Sequence, residues 1–119
     1  MEITFINGIK CTLPCRVVSI GLDMQCHHCV TDCVVLSIDE AKDEVIIESE
    51  GIRILEHMKD LNDFYVATKE NRAMLQAQCD KEYNDWINRV NKQCGREVMK
   101  PLAEGQHYMG DDRTRFDFD

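Results

Sequence analysis

Apolar and polar residues alternate along the first half of the chain, then recur every three to four residues along most of the second. A period of two marks half-buried strands, and a period near 3.6 marks an amphipathic helix. Residues 2–6 (EITFI) and 9–13 (IKCTL) flank Asn7-Gly8. Asn-Gly supplies the positive φ angles of a two-residue type I′ turn, so this reads as a hairpin. Pro14 has no N–H to give to a ladder and marks a strand end. Strands are predicted at residues 15–22 (CRVVSIGL), 33–38 (CVVLSI), 45–48 (VIIE) and 52–55 (IRIL), with Gly51 as a break and 63–66 (DFYV) as either a last short strand or the approach to the helix. A polar loop over 23–32 (DMQCHHCVTD) and a charged turn over 39–44 (DEAKDE) separate them.

From Thr68 to Cys94 the period becomes helical. Leu75, Cys79, Tyr83, Trp86, Ile87, Val90 and Cys94 fall on one face, and Lys69, Arg72, Lys81, Asp85, Arg89 and Lys92 on the other. Thr68 suits the N-cap and Gly95 the first residue past the end. Such a helix is about 40 Å long, so part of its face is available to a partner or a second copy, with Tyr83 and Trp86 as anchors. A short extension ends at Pro101. Residues 105–119 (GQHYMGDDRTRFDFD) show no period and read as a mobile acidic-aromatic tail, in which Phe116 and Phe118 could dock as a linear peptide.

These elements define an α+β fold: a small bent antiparallel sheet or SH3-like barrel of five to six strands, packed with one long C-terminal helix. The organisation is a β-rich part over 1–67, the helix and its extension over 68–100, and the tail over 101–119. From Cys15 to Leu61 the order is strand, wide loop, strand, acidic turn, strand, glycine, strand and a closing Asp60-Leu61. This order resembles the Tudor and KOW class of SH3-like barrels. The resemblance covers under half of the chain and implies a fold only; no binding residue carries across.

Composition narrows the function. The 119 residues carry 14 Lys+Arg and 22 Asp+Glu, a net charge of −8. That balance disfavours direct nucleic-acid binding, which needs clustered cations. Residues 9–63 also lack Phe, Tyr and Trp, so the usual stacking platform and methyl-lysine cage are missing there. The charge is uneven: residues 39–67 hold three basic and nine acidic groups. Asp39, Glu40, Asp43, Glu44, Glu48 and Glu50 are therefore the candidate contacts for a larger protein with a basic surface. No apolar run approaches the roughly 18 residues of a membrane helix, and Met1-Glu2-Ile3-Thr4 does not begin a signal peptide. The expected location is cytoplasmic, or host cytoplasm for a viral protein.

Seven cysteines are many for this length, and their odd number leaves at least one unpaired. Reduced thiols or a metal are expected rather than a disulfide framework. Cys79 and Cys94 read as small buried residues of the helix. Cys26-His27-His28-Cys29, followed by Cys33, is the main chemical signal, because a CxxC turn can aim two thiolates at one tetrahedral zinc. The candidate site is Cys26, Cys29, Cys33 and His28, with His27 or Cys11 as other choices for the fourth ligand. Cys26 to Cys29 also permits a redox reading, although flanking strands are the wrong setting for it. No Ser, Cys or His constellation has the convergent partners of an enzyme. The leading expectation is a non-enzymatic acidic interaction module, of the kind by which a viral or mobile-element inhibitor blocks a host defence or nucleic-acid-binding complex. The alternative is a structural zinc domain whose 26–33 loop is the recognition surface.

Overall fold

The computed structural model describes residues 2–4, 10–110 and 113–116. Its elements run β1 (Glu2–Thr4), β2 (Lys10–Thr12), β3 (Cys15–Leu22), β4 (His28–Asp39), β5 (Glu44–Ser49), β6 (Ile52–Glu56), a 3-10 turn (Met58–Asp63), β7 (Tyr65–Val66), α1 (Lys69–Cys94), β8 (Gln106–Gly110) and β9 (Arg113–Phe116). The central feature is a five-stranded antiparallel sheet in the order β6-β5-β4-β3-β7. The α+β expectation holds. β6 and β7 are the two edges of this sheet, so the SH3-like barrel of the expectation is not closed.

The chain divides into two compact units: residues 1–19 with 31–72, and residues 20–30 with 73–119. In the first unit, Cys15, Val17, Val35, Val45 and Ile47 form a buried aliphatic centre, with Leu13, Cys33, Ile38, Met58 and Phe64 packed around it. The period of two explains it. Val45 and Ile47 point inward from β5 while Ile46 and Glu48 are only half-buried. The ladder from β5 to β6 turns through Glu50 (φ 53°) and Gly51 (φ 78°), with Ser49 opposite Ile52. Both central residues at positive φ define a type I′ turn. The expected Gly51 break is thus a hairpin tip.

Strands β1 and β2 pair antiparallel, with Thr4 opposite Lys10. A strict two-residue turn at Asn7-Gly8 would place Thr4 opposite Cys11, so the register differs by one. Asn7 and Gly8 themselves lie outside the described residues. Cys11 and Cys15 form a disulfide, their Cα atoms 6.2 Å apart. This corrects the expectation of reduced thiols for these two: the chain reverses between β2 and β3 and brings them side by side, a proximity invisible in a C-x-x-x-C spacing. Cys26, Cys33, Cys79 and Cys94 carry free thiols.

Helix α1 begins one residue after its predicted cap. The Thr68 hydroxyl accepts the Asn71 N–H at 3.1 Å. At the other end Gly95 (φ 70°) donates to Lys92 and Arg96 donates to Asn91, both at 3.2 Å. This pair of bonds is a Schellman motif. The buried stripe is narrower than the sequence pattern suggested: Leu75, Cys79, Tyr83 and Ile87. Cys94 is exposed rather than buried, because it sits at the cap, past the last packed turn.

Two further expectations change. The 23–32 loop is shorter, since β4 already begins at His28. The tail is not structureless over its described part. β8 and β9 pair from Gln106↔Phe116 to Gly110↔Arg113, and Tyr108 is fully buried. One aromatic anchored by polar side chains suffices here, and no apolar period announces it.

Candidate functional site

Each unit offers one surface with chemical content. In the first unit it is the acidic turn and the strands after it. Asp39, Glu40, Asp43 and Glu50 are exposed, and Glu44 and Glu48 are half-buried. Several of these carboxylates have structural work. Asp43, at φ 54°, accepts the Met58 N–H at 2.9 Å and meets His57 Nδ1 at 3.2 Å. It thereby ties the β4–β5 turn to the start of the 3-10 turn. Asp39 accepts the Lys42 N–H at 3.2 Å, and Glu48 pairs with Arg53 at 3.6 Å. Glu40, Glu44 and Glu50 are the members of the predicted set with no such role in the described structure. Close by, Asp60 accepts the His57 N–H at 2.9 Å. That bond, with a second from Glu56, holds the Asp60 carboxyl below its usual range, while sharing with Asp60 pushes Glu56 up. His57, Glu56 and Asp60 thus form a turn-capping group.

β6 runs antiparallel beside β5. It exposes Ile52 (65%), Ile54 (42%) and Leu55 (59%). Large apolar side chains on an edge strand are unusual, because edges invite pairing.

In the second unit, a cleft of about 430 Å³ is lined by Gln25, Cys26, His27, His28, Glu82, Tyr83, Asp85, Trp86 and Arg89. Its floor is aromatic. Tyr83 and Tyr108 stack at 4.1 Å, and the His27 ring stands edge-on to Trp86 at 4.4 Å and to Tyr83 at 5.3 Å. Offset or edge-on packing of this kind suits the ring quadrupoles. Two carboxylates build the floor from behind. Asp23 accepts the Gln25 and His27 N–H groups, each at 2.9 Å, and the Tyr108 hydroxyl. This fixes the 23–27 loop as an Asx turn and aims His27. Asp80 accepts the Tyr108 N–H and the Gln76 amide, each at 2.9 Å, and pairs with His107 at 2.7 Å. Asn84 and Asn91 hold the returning chain by accepting the Leu102, Val98 and Met99 N–H groups at 2.7, 2.9 and 3.0 Å. The Cys79 thiol is fully buried on the helix and is pushed up to about 12 by loss of water, with Glu82, Cys29 and Asp80 adding to the effect.

The predicted metal ligands are not gathered. Cys26 is exposed at the cleft, with φ 64°. Cys29 is buried with Tyr83, Ile87 and Tyr108. Cys33 packs in the first unit, where burial raises its thiol pKa. His28 pairs with Glu82. Among the described residues no three His, Cys, Asp or Glu side chains are placed to hold a metal. The predicted anchors also separate: Tyr83 is core, whereas Trp86 is half-buried in the cleft wall. Phe116 lies on β9, and Phe118 is outside the described residues. Sequence reasoning missed Asp23, Asp80, Asn84 and Asn91, which look like ordinary polar positions. Their one signal is that a partly apolar segment (98–108) follows the helix and needs partners for its N–H groups.

Among the described residues no helix is long and apolar enough to cross a membrane. No protein family, no curated protein and no solved structure matches this chain.

Proposed function

We propose that the protein is a non-enzymatic interaction module that binds a basic surface of a larger protein through the acidic segment of its first unit. The observation that carries this reading is that β5, which starts at Glu44 just after Glu40 and ends at the Glu50 hairpin tip, pairs with the solvent-exposed apolar strand β6. Charge there steers and orders an encounter, while apolar area supplies affinity. In the second unit, by contrast, the carboxylates nearest the aromatic floor are engaged with the protein's own groups.

The test uses a ten-residue lysine peptide as probe and the triple substitution Glu40→Lys, Glu44→Lys and Glu50→Lys. These three positions leave the Asp43 and Asp60 caps intact. Binding by the wild-type chain is expected to weaken at least tenfold between low and high salt, and the triple variant is expected to lose it. Equal binding by the two proteins removes charge complementarity from the account.

A further inference from the structure

The free side of β6 carries more information than exposure alone. β5 and β6 pair over five positions without a bulge, from Ser49↔Ile52 to Val45↔Glu56. The pair that closes a two-residue hairpin exchanges both backbone bonds, and the pattern then alternates. Ile52, Ile54 and Glu56 therefore spend their N–H and C=O groups on β5. Arg53 and Leu55 point theirs outward, at the edge of the sheet. No described strand pairs with them.

Natural edges are blunted by proline, lysine, a bulge or an inward charge. The segment Ile52-Arg53-Ile54-Leu55-Glu56 has no proline and no lysine, and its ladder is regular. Its single cation, Arg53, is held by Glu48 at 3.6 Å. Ile52 and Ile54 project on one face and Leu55 on the other, so an added strand would find apolar neighbours on both faces. At the hairpin tip, Glu50 occupies a positive-φ position that glycine or asparagine adopts with less strain. It is exposed at the turn that leads into β6.

From this geometry we infer that β6 is a docking edge on which an extended, basic segment of a partner protein adds as a sixth strand. The inference rests on the proposed function and specifies how the partner is held: backbone bonds to Arg53 and Leu55 give affinity, and the surrounding carboxylates select lysine- or arginine-bearing strands. A second copy of this chain is the disfavoured occupant. It would set two segments of three basic and nine acidic groups against each other.

The probe is a capped heptapeptide alternating lysine and valine, with a glutamate–valine peptide as its counterpart. Amide exchange is read residue by residue in the intact chain. The lysine–valine peptide is expected to slow exchange at least tenfold at Arg53 and Leu55, while Ile52, Ile54 and Glu56 change little. The glutamate–valine peptide is expected to leave all five unchanged. Leu55→Pro removes one outward N–H without touching the β5 ladder and is expected to cut heptapeptide binding tenfold while ten-residue lysine peptide binding persists. Leu55→Lys, a milder edge block, serves the same purpose if the proline variant unfolds. Loss of lysine-peptide binding in the Glu→Lys triple variant together with no protection at Arg53 and Leu55 overturns strand addition but leaves the acidic surface standing. Protection that rises with protein concentration alone assigns the edge to a second copy and overturns the inference.

Discussion

The two units solve opposite problems with the same residue type. The first has an aliphatic centre, and its carboxylates lie outside on turns, where they cap neighbouring N–H groups or stand free. The second has an aromatic centre of Tyr83, Ile87, Tyr108 and Cys29, and its carboxylates Asp23 and Asp80 lie behind the rings. The aliphatic centre needs nothing from its acids, so those that cap no turn are left to solvent. A stacked tyrosine brings its hydroxyl and backbone N–H inside with it, and these must be satisfied there. The lesson is that acid count alone says little about where a protein binds. What matters is whether each carboxylate already has donors.

The comparison is most exposed to failure at Tyr108, which is fully buried. Tyr108→Ala is expected to cost about 3–5 kcal/mol in denaturant unfolding, through lost area and a cavity. Tyr108→Phe keeps the stack but leaves Asp23 without its hydroxyl donor, and about 1–3 kcal/mol is expected. If the two variants cost the same, the polar anchoring is the whole of the effect and the aromatic centre contributes nothing beyond it. If Tyr108→Phe is silent, Asp23 is not an interior acceptor.

A smaller effect separates inside from outside carboxylates directly. Asp80 has three partners and a side chain 17% exposed. Asp80→Ala is expected to cost about 2–3 kcal/mol, since it strands a backbone N–H and an amide. Asp43→Ala removes a cap and puts alanine at φ 54°, for about 1–2 kcal/mol. Asp43→Asn, which keeps an acceptor and tolerates that backbone, is expected to lose under about 1 kcal/mol. An Asp43→Ala cost equal to that of Asp80→Ala would erase the distinction between the units.

The first unit was the more legible in the sequence, and the reason is physical. Val45, Ile47, Val17 and Val35 lie in β-branched runs that mark strands, and Gly51 and Thr68 announce themselves by their backbone and capping chemistry. The helix bounds follow from Thr68 and Gly95 within one residue. The second unit hides its organisation because polar side chains build it. Asn84 and Asn91 look like a solvated helix face, yet they hold residues 98–102. His107 and Tyr108 sit in a segment without apolar period, yet Asp80 and Asp23 draw them in. The cysteines misled for a related reason. Spacing suggested that Cys26, Cys29 and Cys33 converge, but β4 starts at His28, and an extended strand holds Cys29 and Cys33 about 13 Å apart along its length. The acidic set was half legible: its location could be read, whereas the structural duty of Asp43 depends on the 3-10 turn at Met58, which no pattern revealed.

The cysteines offer the finest test, because they sample both units at once. Cys26 and Cys94 are exposed and are expected to alkylate first at pH 8, with Cys33 slower. Cys29 and Cys79 are expected to react only when the second unit opens, and Cys11 and Cys15 only after reduction. Cys79 adds a pH dependence of definite sign. Its thiol is raised from 9.0 to about 12 in the folded chain, so above pH 9 the unfolded chain releases a proton that the folded chain retains. Its contribution to stability is complete below pH 9 and is lost as pH rises towards 12. Lys81, raised by its bond to Asp85, and Cys33, raised by burial, lose stability in the same direction. The useful measurement is therefore a difference. Cys79→Ala is expected to unfold less steeply with pH than the wild-type chain between 9 and 12, and Cys33→Ala to flatten the curve by less. Parallel curves for Cys79→Ala and wild type would show that the thiol meets water in the folded state, and that the second unit is looser at its helix than the burial of Cys79 implies.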